Sequence, residues 1–244
     1  MQAIILAGGY GTRLYPLTIN APKPMIQIGE KPMIEYLVEK LRKIEEVHDI
    51  FIVSNGKFSC VFDEWLKNSK YTNIHIINDG TISNEDRLGS VGDIQYVLEH
   101  RKIDEDLMIV GWDNFVEDDF RWIVKDFHEK WSTIGLYDVW DIEYVKQLSN
   151  PCMDENMRLI SLAEKPENPT SSLAGTLVYI IKNNELKHIK TVIESGKADR
   201  AGDFIAYLCQ VESVYGSVLQ GKWFDIGTME QLKKAEEWIK LKNR

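Results

Sequence analysis

The segment Ala3-Ile4-Ile5-Leu6-Ala7 is apolar without interruption, and Gly8-Gly9-Tyr10-Gly11 follows at once. A strand-sized apolar run with no polar alternation belongs to a strand covered on both faces, as in a parallel sheet packed between helices. Glycines at the end of such a strand let backbone N–H groups turn toward an anion, because glycine tolerates φ > 0 and has no side chain in the way. Further strands are expected at 49–54, 73–78, 107–110, 133–139, 157–163 and 177–181, with short ones at 213–219 and 223–226. Helices are expected from Pro32, with Ile34, Leu37, Val38, Leu41 and Ile44 on one face, and at 58–68, 90–101, 118–131, 205–211 and 229–240. Strands alternating with helices predict an α/β fold: a Rossmann-like, mostly parallel sheet with helices on both faces. With no linker or internal repeat in 244 residues, one domain over 1–244 is expected. The absence of hexapeptide repeats argues against a C-terminal left-handed β-helix.

A net charge of −9 argues against a broad nucleic-acid surface, which needs a basic excess. No apolar run approaches the roughly 20 residues of a membrane span. Met1 leads directly into a strand, so no signal peptide and a cytoplasmic location are expected. Nucleic acid and membrane are therefore not expected partners, while a homo-oligomer stays open. Cys60, Cys152 and Cys209 lie far apart and form no CxxC pair, so buried, reduced thiols are expected and no zinc site. The five histidines show no ligand or triad spacing.

The glycine-rich loop fits neither GxGxxG nor the Walker A pattern. By itself it reads better as a structural turn than as an anion site. Its surroundings add chemistry. Arg13 follows the glycines, Lys23 lies between Pro22 and Pro24, and Pro16 and Pro32 stiffen the same stretch. A guanidinium and an ammonium beside backbone donors suit a triphosphate. Asp113 ends one strand and Asp225 lies in Trp223-Phe224-Asp225-Ile226-Gly227-Thr228. Ligands in open α/β sheets bind at the carboxyl ends of strands, so both carboxylates could reach one site. Two carboxylates with phosphate oxygens suit Mg²⁺.

The run Leu6-Ala7-Gly8-Gly9-Tyr10-Gly11-Thr12-Arg13-Leu14-Tyr15-Pro16-Leu17-Thr18, with Pro22-Lys23-Pro24, resembles the signature of the sugar-1-phosphate nucleotidylyltransferases. The resemblance covers almost the whole chain. It implies a nucleotide-diphospho-sugar transferase fold with a small sugar-side subregion. It also implies that a sugar 1-phosphate and a nucleoside triphosphate become a nucleotide-diphospho-sugar and pyrophosphate, with dTTP or UTP and a glucose-1-phosphate-like sugar favoured. Leu6, Ala7, Gly8, Gly9, Gly11, Thr12, Arg13 and Lys23 would bind the nucleotide, Arg13 and Lys23 acting on its phosphates as catalytic groups. Asp113 and Asp225 would hold Mg²⁺. Glu164 and Lys165, in Glu164-Lys165-Pro166, and Gly175 would bind the sugar phosphate.

Three segments depart from the family pattern. Trp112 stands where glycine is usual, with Gly111 one step earlier, so its indole either crowds the nucleotide or stacks on something. Ser149-Asn150-Pro151-Cys152 replaces an aromatic-glycine pair on the sugar side. The base loop runs Ser83-Asn84-Glu85-Asp86-Arg87-Leu88-Gly89: Asn84 offers a donor and an acceptor to a base, Gly89 close approach to the backbone, and Asp86 and Arg87 a pair with each other. Two alternatives remain. A choline-phosphate cytidylyltransferase would need an aromatic cage, for which Trp112, Trp140 and Trp223 are available. A nonenzymatic nucleotide-sugar-binding regulatory subunit would have lost turnover.

Overall fold

The computed structural model describes residues 1–12 and 18–242. Strand β1 (Gln2–Leu6) is followed by a 3₁₀ turn at Lys23–Met25 and a small ribbon of β2 (Gln27–Ile28) and β3 (Lys31–Pro32). Helix α1 (Met33–Leu41) comes next, then β4 (Ile50–Ser54), α2 (Ser59–Asn68), β5 (Ile74–Asn78), α3 (Gly89–His100) and β6 (Leu107–Gly111). Pro32 closes β3 and stands at the N-cap of α1, one residue before the position expected for it. These strands form the parallel order β6-β1-β4-β5. Alternation along β1 explains its wholly apolar sequence: Ala3 and Ile5 face one core layer, Ile4 and Leu6 the other.

The chain continues through β7 (Asn114–Val116), α4 (Arg121–Glu129), β8 (Ser132–Asp138), α5 (Ile142–Val145), β9 (Ser149–Met153) and β10 (Leu159–Glu164). It ends with β11 (Leu173–Ile181), α6 (His188–Glu194), α7 (Ala201–Val211), β12 (Val214–Val218), β13 (Trp223–Asp225) and α8 (Met229–Lys242). The long β11 runs antiparallel to β6, β8 and β9, so the main sheet is parallel around β1 and antiparallel around β11. Between Gly175 and Tyr179 its register against β8 shifts, a bulge that re-aims the strand beside the sugar-side pocket described below. Phe62 of α2, Phe127 of α4 and Ile239 of α8 pack in the same layer as α1; Ile94 of α3, Ile189 of α6 and Phe204 of α7 fill the other.

The helix expected at 118–131 is shorter, Arg121–Glu129, and β9 was not expected. The thiols are not uniformly buried. Cys60 is exposed and Cys152 half-buried, while burial pushes the Cys209 thiol up to about 12. Among the described residues no helix is long and apolar enough to cross a membrane.

Candidate active site

The loop after β1 is fastened on several sides. Asn55 at the end of β4 donates from Nδ2 to the Gly8 carbonyl at 2.9 Å, and its Oδ1 accepts from the Phe58 amide at the start of α2. The Tyr10 hydroxyl bonds Thr81 at 3.0 Å, and Thr18 donates to the Gly11 carbonyl at 2.8 Å. Gly11 has φ +68°, and a β-carbon there would lie 2.7 Å from Cγ of Lys23. Glycine at this position therefore serves two needs, a left-handed backbone and room for the lysine stem. Gly9 has open space where a side chain would stand, and Thr12 is exposed. Arg13 lies outside the described residues.

Lys23 is only 5% exposed, and its ammonium stands 5.4 Å from the centroid of the Trp112 ring. The indole is thus the platform on which the loop lysine rests, a cation–π contact. Gly111 supplies room instead: a β-carbon there would lie 2.9 Å from Oδ1 of Asp113 and 2.8 Å from Nδ2 of Asn114.

Asp113 and Asp225 are brought together by the antiparallel pairing of β7 with β13, in which Asn114 stands opposite Asp225. The Ile226 amide donates to the Asp113 carbonyl at 2.9 Å and secures the same juxtaposition. Asn114, 3% exposed, had no role in the sequence reading. It donates to Oδ1 of Asp113 at 3.0 Å, and its own Oδ1 accepts from the Leu177 amide and from the Trp223 indole. It therefore ties the first carboxylate to β11 and to β13. Its only sequence signal was an amide directly after the aspartate. The backbone thus places two hard carboxylate residues at one ribbon, a donor type that fits Mg²⁺. Among the described residues no group of three or more ligating side chains exists.

On the sugar side, Glu164 and Gly175 line one cavity of about 220 Å³ together with Ser90, Ser149, Arg200 and Gly202. Ser149 donates to Glu164 at 2.5 Å. The Glu164 carboxylate lies where a side chain on Gly202 would stand, in the first turn of α7, a favourable end for a negative group. Lys165 is exposed and outside that lining, with φ +49°, a costly conformation for lysine, held by the hydrogen bond its backbone N–H donates to the Leu148 carbonyl. Arg200 was missed because nothing in the sequence marked the start of α7 as part of the site.

The base loop corrects two expectations. Asp86 does not pair with Arg87. It accepts from the Ile82 and Ser83 amides, which hold its carboxyl below the usual range, while Arg87 pairs with Asp199 at 3.1 Å. Gly89 has φ +80°, and the space a side chain would take is filled by the Ala198–Asp199 backbone, so the close approach there is made by the chain itself. Asn84 is half-buried, its side chain bonded to no described residue. Nor do the three tryptophans build a cage: Trp112 and Trp223 are buried, Trp140 is 84% exposed, and no ring contact among the described residues joins them. A cavity of about 680 Å³ lies by α1 and α2 against Met25, Glu35, Trp65 and Tyr71 and includes none of the expected site residues.

The chain is 31% identical over 251 residues to the bifunctional protein GlmU of Methanocaldococcus jannaschii, across 98% of this chain and 54% of the relative. It is 28% identical to the UTP–glucose-1-phosphate uridylyltransferase of Synechocystis, across 96% of this chain and 62% of that one. It thus spans little more than half the length of the curated relatives it matches. A Bacillus anthracis structure, provisionally designated a glucose-1-phosphate thymidylyltransferase and solved with sucrose, shares the fold with a TM-score of 0.85 at 24% identity, covering 98% of this chain and 94% of the other. The nucleotidyl transferase family model matches residues 2–240. With a parallel sheet ending in a glycine-rich loop and an agreement that runs through all but the chain's ends, this protein belongs to the nucleotidyl transferase family.

Proposed function

We propose that the chain joins a sugar 1-phosphate to a nucleoside triphosphate, forming a nucleotide-diphospho-sugar and releasing pyrophosphate. The observation that carries this reading is the position of Asn114, which connects the Asp113 carboxylate to β11, the strand that carries Gly175, and to β13, which carries Asp225. dTTP or UTP and a glucose-1-phosphate-like sugar are the proposed substrates, in keeping with the name of the Synechocystis relative. Consumption of a nucleoside triphosphate suits a cytoplasmic reaction in nucleotide-sugar supply.

In this reading a sugar-phosphate oxygen forms the new bond to the α-phosphorus as the bond to pyrophosphate breaks in line. The nucleophile is already anionic and needs no general base. The obstacle is repulsion between two anions, so catalysis rests on positioning and charge neutralisation. Lys23, steadied by Trp112, neutralises the triphosphate. Arg13 serves the departing pyrophosphate. Lys165 meets the incoming sugar phosphate, with Glu164 and Gly175 shaping the sugar pocket. Asp113 and Asp225 would hold Mg²⁺, which supplies further neutralisation of phosphate charge.

A pyrophosphate-release panel crossing the four NTPs and dTTP with several sugar 1-phosphates tests this. Release is expected only when both substrates are present, and EDTA should abolish it until Mg²⁺ is restored. No release from any pair, or full release in EDTA, would overturn the reading.

A further inference from the structure

Directly beneath Gly8 lies a pair of acids that the mechanism does not use. Asp79 follows β5 and Asp93 sits in α3; each is 6% exposed. A β-carbon on Gly8 would lie 2.7 Å from Oδ2 of Asp93 and 3.2 Å from Oδ2 of Asp79, so both carboxyl groups press against the glycine-rich loop. Asp79 is well satisfied. Its Oδ1 accepts from the Thr81 amide at 2.7 Å and from the Thr81 hydroxyl at 2.8 Å, and that hydroxyl meets Tyr10 of the same loop. Asp93 is not: its Oδ1 is buried with no hydrogen-bond partner among the described residues. An ionised carboxylate with an unpartnered buried oxygen beside another carboxylate is strongly disfavoured.

We infer that Asp79 and Asp93 share one proton beneath Gly8 and act as positioning residues for the nucleotide loop, set so that loss of this proton weakens triphosphate binding. The inference rests on the proposed function for its ligand. Asp93 is the proton carrier, donating to Asp79, because burial and then the Asp79 charge push its carboxyl up to about 8. Asp79 is also raised by burial, opposed by its bonds to Thr81. The other titratable groups facing the pair are Tyr10 from the loop and Asp86, whose charge acts on Asp79. When Asp93 ionises, two carboxylates repel each other under Gly8, and a second negative charge lies beneath a loop that receives phosphates. Both effects act in the same direction. Below about pH 8 the pair carries one charge and the loop keeps its seat; above it, affinity is lost.

The test uses wild type and Asp93→Asn, whose amide still donates to Asp79 but cannot ionise. Amide NMR shifts of Gly8 and Gly9 are followed from pH 6.5 to 9.5 without ligand, and UTP and dTTP are titrated at pH 7 and pH 9. In wild type the glycine amides should move with a midpoint near pH 8, and the dissociation constant should rise up to about tenfold between pH 7 and 9, the linkage limit for a group that keeps its proton in the complex. In Asp93→Asn the amides should not titrate and the ratio of the two constants should stay near one. Static amides in wild type, or the same alkaline loss in both proteins, would overturn the inference. Triphosphate binding in neither protein at pH 7, with the amide titration intact, would overturn the nucleotidyl-transfer reading and with it the pair's role in affinity.

Discussion

At Trp112 the sequence posed a question that only side-chain direction answers. Crowding and stacking are both available to an indole beside a phosphate site. Here the absent Gly111 side chain leaves room that the Asp113 and Asn114 side chains fill, and the Trp112 ring lies under Lys23. Gly111 closes β6 and Trp112 opens the turn to β7, so the space and the bulk fall on two different residues. If the ring is what holds the ammonium, Trp112→Ala should weaken NTP binding by about 0.5–2 kcal/mol, the scale of a cation–π contact. The sugar-phosphate KM should change far less. Isothermal titration with NTP beside steady-state kinetics checks this, and unchanged affinity would leave the tryptophan a packing role only. Glycines 8 and 11 were legible as parts of a glycine-rich loop after β1. Their particular neighbours, the acid pair and the Lys23 stem, are contacts across the fold and leave no local mark.

Among the elements, the strands around β1 were readable because a strand buried on both faces is apolar throughout. β9 was not. Ser149-Asn150-Pro151-Cys152 has the residues of a turn, and proline removes a ladder donor. The strand survives because its pairing with β11 is confined to Gly175 opposite Ser149, so Pro151 needs no donor on that side. Asn150 adds what the hydrophobic pattern cannot show. Its amide nitrogen donates to the Leu173 and Ser171 carbonyls, and its Oδ1 accepts from the Thr170 amide and hydroxyl. The side chain thereby staples the loop before β11 to the sugar-side pocket. Asn150→Ala removes several part-buried hydrogen bonds at once and should cost about 1–3 kcal/mol of stability, at or above the usual range for one lost hydrogen bond. Urea unfolding measures it. A loss under 1 kcal/mol would show that water replaces the staple.

For the whole molecule, the two kinds of strand pairing divide the labour. The parallel strands around β1 carry the glycine-rich loop and lead to Lys23, and the antiparallel strands around β11 carry Glu164 and Gly175. The β7–β13 ribbon, with Asn114 bonded to β11, stands where they meet. If the proposed reaction is right, this division should appear in kinetics as two separable binding deficits. Lys23 rests on Trp112, whose amide is tied to β1 through the Leu6 carbonyl. Lys23→Ala should therefore weaken chiefly the triphosphate. Lys165 follows Glu164 at the end of β10, on the far edge of the sheet, and Lys165→Ala should weaken chiefly the sugar phosphate. Each loss in kcat/KM should be on the order of 2–4 kcal/mol, the scale of removing one preorganised charged contact. The double variant should be close to additive, since the two residues share no described partner. KM values measured for each substrate with the other saturating decide the matter. Equal weakening of both substrates by both variants would mean that the pocket works as one charged basin, and the division drawn from the sheet would not extend to its chemistry.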